Sequence, residues 1–213
     1  MKFENLVKLI CDLPCFDLPL LVQATGEPRD SLKVQLSRWM AKGRVVSLRR
    51  GFYRLADPFA RIPLVPAELS NLIYTPSYLS GVWALSYYDL IPERVVELTA
   101  VTTRVPRQFR NPVGSFTYRH LKQPAFFGYE RKSFGSRPVL VADPEKALLD
   151  HWHLSPGEWT DDRLSEMRYQ HMEMIRAETL IGYAERFTSS RLRRAASQWL
   201  RMRENEGEGE ETL

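Results

Sequence analysis

The sequence predicts an α+β fold in two units, and three observations carry that reading. Residues 18–55 alternate short helical and strand patterns around a strongly basic helix. A β-branched segment and three further strand patterns follow between Val95 and Ala142. From Asp143 onward the apolar residues recur at helical spacing almost to the end. At 213 residues the chain is long enough for two modest domains, and 44% hydrophobic content suffices to build their cores. The expected organisation is residues 1–57, a linker over 58–66, a second domain over 67–203 and an acidic tail over 204–213.

The N-terminal segment MKFENLVKLICDLP is broken by Glu4, Lys8 and Asp12, so it reads as an amphipathic first helix and not as a signal peptide. LPLLVQATGEP reads as a shorter helix and a tight turn. RDSLKVQLSRWMAK, from Arg29 to Lys42, then places Leu32, Leu36, Trp39 and Met40 on one stripe. Gly43 supplies a left-handed stop. Val45 to Leu55 reads as two short strands joined at Arg49-Arg50-Gly51. Helix, turn, helix and hairpin in this order predict a winged helix-turn-helix, a module that sets one helix in the major groove of DNA.

The chemistry of that segment agrees with double-stranded DNA as the partner. Between Arg29 and Arg54 there are eight Arg or Lys and one acid, Asp30, in a chain whose net charge is only +4. Such clustering is the electrostatic footprint of phosphate binding. On the outward face, Gln35, Ser37 and Arg38 are candidates for base edges, Val34 for a thymine methyl and Lys33 for phosphate. Arg29, Lys42 and Arg44 extend the basic surface, and Arg49 and Arg50 are candidates at the wing tip.

In the second domain, Asp57–Pro66 carries three prolines and reads as the connection. Thr75–Leu90 reads as one helix, with Thr75 as N-cap and Pro76 at its first position. Strands are expected over Val95–Thr103, Ser115–His120, Phe126–Lys132 and Pro138–Ala142. DPEKALLDHWHL reads as a helix capped by Asp143. Three more helices are expected from Thr160 to Arg203, with breaks near Gln170–Met174 and Thr188–Ser190. The last of them carries Arg191, Arg193, Arg194, Arg201 and Arg203, secondary candidates for phosphate or an acidic partner. NEGEGEETL, with five Glu from Glu204 on and no base, is expected to be disordered.

Other chemistry is sparse. No phosphate-binding glycine loop, G-x-S-x-G or zinc-spaced Cys/His set occurs. Cys11 and Cys15 are too few for a disulfide framework and are expected as reduced thiols in a cytoplasmic protein. His151 and His153 are two apart, so a helix points them away from each other. No cofactor and no metal is expected, and no apolar run reaches the ~18 residues of a membrane span. Asp143, Glu145 and Lys146 resemble the acid-and-lysine pattern of metal-dependent nucleases, but capping accounts for an Asp and a Glu at a helix start. A DNA-targeted nuclease is therefore the lesser alternative to a non-enzymatic DNA-binding protein.

RGFYRL closing the wing, followed by YTPSYLSGVWALSYYDLIPE, VVELTAVTT and VADPEKALLDHW, resembles the AbiEi family over roughly residues 5 to 155. These are antitoxins and transcriptional regulators of bacterial abortive-infection (phage-defence) toxin–antitoxin operons. The likeness lies in the order and character of the segments, with no single specific motif. It implies a repressor that binds inverted repeats at its own promoter as a homodimer. It also implies a C-terminal domain that counteracts a cognate nucleotidyltransferase-like toxin. A winged-helix regulator without antitoxin activity fits the same residues.

Overall fold

The computed structural model describes the backbone of residues 1–210 and side chains through Asn205. Its first unit contains α1 (Phe3–Ile10), β1 (Phe16–Asp17), α2 (Leu18–Thr25), α3 (Arg29–Ala41), β2 (Val45–Arg49) and β3 (Phe52–Leu55). Each helix has a local cause. Phe3, Leu6 and Ile10 give α1 a single buried side. Asp17 caps α2 by accepting from the Leu20 amide at 2.9 Å. α3 buries Leu32, Leu36 and Trp39. It is closed by Gly43 at φ 64° with the Arg44 amide on the Trp39 carbonyl at 2.9 Å. The strands pair antiparallel in the order β1-β3-β2. Side chains from all three helices meet Phe16, Val45 and Leu55 in one apolar cluster. Truncating a fully buried leucine such as Leu36 costs about 2–5 kcal/mol.

The second unit is built on a six-stranded mixed sheet. Its elements are α4 (Pro66–Ile73), β4 (Ser77–Leu79), α5 (Val82–Tyr87), β5 (Leu98–Thr102), β6 (Arg107–Asn111), β7 (Gly114–His120), β8 (Tyr129–Ser133) and β9 (Pro138–Ala142). They are followed by α6 (Pro144–Leu154), α7 (Asp161–Glu166), α8 (Ala177–Arg186) and α9 (Ser190–Glu210). The strand order is β6-β7-β5-β4-β9-β8, parallel at β5–β7 and β4–β9 and antiparallel elsewhere. The chain is thus α+β.

Several elements depart from expectation. The segment 75–90 is not one helix: Ser77–Leu79 is a strand and only Val82–Tyr87 is helical. Ser77, Tyr78 and Leu79 are all buried between β5 and β9, so ladder hydrogen bonds and burial on both faces outweigh the helical spacing. Gly81 at φ 61° separates strand from helix. β6 lacks an apolar run because it is an edge strand whose one inward aromatic is Phe109. α4 starts at Pro66, the last residue of the expected linker. The third strand begins at Tyr129, not Phe126, because a 3₁₀ turn occupies Gln123–Ala125.

The C-terminal helices lie close to their expected limits. A 3₁₀ turn at Met172–Met174 and Thr188 at φ 52° supply the two breaks. α9 continues to Glu210, past Arg203 where the helical pattern was expected to end. A helix already packed upstream needs only propagation, not nucleation, which carries it past Gly207 and Gly209. Residues 211–213 of the expected tail lie outside the described residues.

The two units are in contact. Leu48 is buried in the second unit's core, and Val46, Phe52 and Cys15 pack against the same cluster. The Asn111 amide donates to the Leu48 carbonyl at 3.0 Å. The connection also lies on the first unit: Phe59 meets Phe3 edge-on at 4.9 Å, and the Arg61 amide donates to the Cys11 carbonyl at 3.0 Å.

Candidate nucleic-acid interface

Burying Leu32, Leu36 and Trp39 forces the opposite side of α3 outward. Arg29, Lys33, Val34, Ser37, Arg38 and Lys42 are all exposed there. Val34 is 51% exposed, a large apolar group held in water at the middle of a basic helix. Lys33 pairs with Asp30 at 2.8 Å but both remain exposed, so the pair is weak.

Gln35 differs from its neighbours. It is half-buried, and its amide donates to Glu27 at 2.6 Å and to Ser31 at 3.1 Å. The Met1 ammonium and this amide hold the Glu27 carboxyl below the usual carboxylate range. Gln35 thus ties the turn before α3 to the helix, and it reaches a base only by giving up these bonds. Sequence spacing alone does not reveal this, because the partner lies eight residues upstream across a turn.

The two arginines at the β2–β3 turn also part company. Arg50 is exposed at the tip. Arg49 is half-buried, donating through Nε to the Ile73 carbonyl at 2.7 Å with its guanidinium 4.9 Å from the Phe52 ring centre. It therefore anchors the β2–β3 hairpin on the end of α4. Arg44 is half-buried with its guanidinium over the Phe3 ring at 4.9 Å.

The basic face of α9 is partly committed to the fold. Arg191 donates to the Ser155, Gly157 and His153 carbonyls, satisfying the open C-terminal end of α6. Arg194 pairs with Glu158 at 2.8 Å, and Arg203 donates to the Ile175 carbonyl at 2.8 Å. Arg193 and Arg201 remain exposed.

The acid-and-lysine pattern at the start of α6 is occupied internally. Asp143 accepts from the Lys146 amide and from the Tyr183 hydroxyl, each at 2.9 Å, and burial raises its pKa to about 6. Glu145 accepts from the Arg176 amide and guanidinium at 3.0 Å. Lys146 is fully buried. It contacts Asp150 and the Tyr78 hydroxyl, and Asp150 also accepts from Tyr78 at 2.9 Å and Ser80 at 2.7 Å. Burial lowers the Lys146 pKa. The sequence carries a trace of this network, a Lys and an Asp four apart within the otherwise apolar KALLD.

His151 is pushed down to about 4 by burial and stays neutral at pH 7. Both cysteines are free thiols, and burial raises Cys15 to about 11. Among the described residues, no group of three or more His, Cys, Asp or Glu is placed to hold a metal ion, and no helix is long and apolar enough to cross a membrane. No family model matches the chain, and no curated protein is significantly similar to it.

Proposed function

We propose that the chain is a sequence-specific DNA-binding transcriptional regulator whose first unit is a winged helix-turn-helix. The observation that carries the reading is the outer face of α3. Arg29, Lys33 and Arg38 point to solvent on this thirteen-residue helix beside a single acid, Asp30, with Lys42 just past its end and a hairpin following with Arg50 at its tip. A helix of that kind fits the major groove. Arg38 reads a base edge, Val34 meets a thymine methyl and Ser37 accepts or donates between them. Arg29, Lys33, Lys42 and Arg50 hold phosphates. No catalytic role is assigned to Asp143, Glu145 or Lys146, whose bonds are all within the fold.

The resemblance to AbiEi antitoxins extends the proposal to repression of the chain's own promoter and control of a nucleotidyltransferase-like toxin. A gel shift with DNA from upstream of the gene, with unrelated DNA as competitor, tests the first part. Loss of the shifted band at modest excess of unrelated competitor would refute specificity. Co-expression with the product of the neighbouring toxin gene tests the second. Failure of the full chain to restore growth leaves the DNA-binding regulator alone.

A further inference from the structure

Far from α3 in sequence, the turn after α5 opens a cleft of about 460 Å³ lined by Trp83, Tyr87, Asp89, Ile91, Glu93 and Arg94 among others. One wall is aromatic. The Trp83 and Tyr87 rings lie parallel, 3° apart in tilt with centroids at 5.6 Å, and Phe134 leans on them at 5.8 and 5.1 Å. Tyr87 is 39% exposed.

Asp89 is the unusual member. The Leu90 amide returns to the Leu85 carbonyl at 2.9 Å, closing α5 with Asp89 at φ 55°. Glycine takes that position most easily, and Asp is one of the few other residues that adopt it. A carboxylate there also faces the negative end of the helix dipole. Glu93 in the same cleft is already paired with Arg168. The Asp89 carboxylate is exposed at the cleft. An exposed carboxylate lining a cleft with an aromatic wall is open to a cationic ligand.

We propose that this cleft takes an arginine side chain from a partner protein. A guanidinium stacks on the face of Trp or Tyr while its edge forms a two-point contact with a carboxylate, and the cleft is lined by groups of both kinds. Lysine, a compact and strongly hydrated charge, uses the aromatic wall less well. Phosphate is disfavoured by the exposed Asp89 carboxylate in the cleft. Arg94 suits a carbonyl or carboxylate of the segment that bears the arginine. Exposed aromatic anchors beside a pocket are typical of the energetic centres of protein interfaces. The proposal does not depend on DNA binding by the first unit.

The test is a titration of the full chain with N-acetyl-arginine amide, followed at the Trp83 indole N–H, identified by Trp83→Phe. N-acetyl-norleucine amide and the matching glutamate derivative are controls. A saturable shift with the arginine compound alone is expected. Binding should weaken about fivefold or more in Asp89→Asn, which tolerates the same backbone. Asp89→Gly should abolish binding and raise the melting temperature by about 2–4 °C. A shift that does not saturate, equal shifts from norleucine, or undiminished binding by Asp89→Asn would overturn the proposal. So would a lower melting temperature for Asp89→Gly, which would mean that the carboxylate serves the fold.

Discussion

Arg49 and Arg50 are adjacent in sequence and opposite in surroundings. Arg50 stands in solvent at the hairpin tip, while Arg49 is bonded to Ile73 and stacked on Phe52. Arg50→Ala is therefore predicted to flatten the slope of log affinity against log salt by about 0.9. Arg49→Ala is predicted to leave that slope unchanged and to lower stability by about 1–2 kcal/mol through the lost charged bond. Salt titrations and denaturant melts of the two variants separate these outcomes, and equal slopes for wild type and Arg50→Ala would remove the tip from the interface. Asp143 makes a pH prediction of definite sign. Its folded pKa of about 6 lies above the usual carboxylate value of about 3.9. The native state thus holds the extra proton between these values, so this group's contribution to stability falls as pH rises from about 4 to 6 and is flat above. Asp143→Asn keeps a capping side chain and removes the titration. Its stability relative to wild type should improve over that window, by an amount on the order of 1 kcal/mol after allowance for solvent screening. A difference independent of pH would contradict the account.

At the scale of elements, α6 shows how a sheet and a helix can share a charge. Lys146 and Asp150 sit one turn apart on its buried side, and Tyr78 and Ser80 beside them come from β4 and the turn after it. Removing one partner strands the other away from water. Asp150→Ala should cost about 3–5 kcal/mol, while the paired change Lys146→Met with Asp150→Leu should cost less than Asp150→Ala alone. Chemical denaturation of the three proteins checks this, and additive losses would contradict it. α6 itself was legible from its Asp-Pro start and its apolar spacing, as were β7, β9 and the breaks between the last helices. β4 was not. Its three residues lie within a longer stretch of helical periodicity, and the partners that decide their conformation, β5 and β9, lie about twenty and sixty residues away. β6 was missed for the converse reason, since an edge strand needs no apolar pattern to announce it. At the interface, the exposure of Arg38 and Val34 followed from the α3 stripe, whereas the capture of Gln35 by Glu27 and of Arg49 by Ile73 depends on contacts that spacing cannot express.

For the whole molecule, the contact between units changes what a fragment should do. The apolar stripe of α3 suggests that residues 1–57 hold a core of their own around Leu32, Leu36, Trp39 and Phe52. The first three do meet in the N-terminal cluster, but Phe52 packs with Leu48 and Val46 on the second unit. A fragment ending at Asp57 would expose that patch and lose Phe59 from the Phe3 contact. Its melting temperature should fall well below that of the full chain. Restoring residues 58–61 should recover part of the loss, and a fragment as stable as the full chain would mean that the units are energetically independent. Coupling of this kind gives the second unit a route to influence the β2–β3 hairpin, since Arg49 and Asn111 join them there.

The central claim is that the outer face of α3 reads DNA sequence. The most direct measurement is the affinity of wild type and Arg38→Ala for DNA from upstream of the gene and for a scrambled duplex of equal length, at one fixed salt concentration. The account predicts that wild type prefers the upstream DNA. It also predicts that Arg38→Ala loses about 1–3 kcal/mol on that DNA and much less on the scrambled duplex. Equal losses on both would make Arg38 a phosphate contact only, and equal wild-type affinity for the two duplexes would contradict sequence reading by α3.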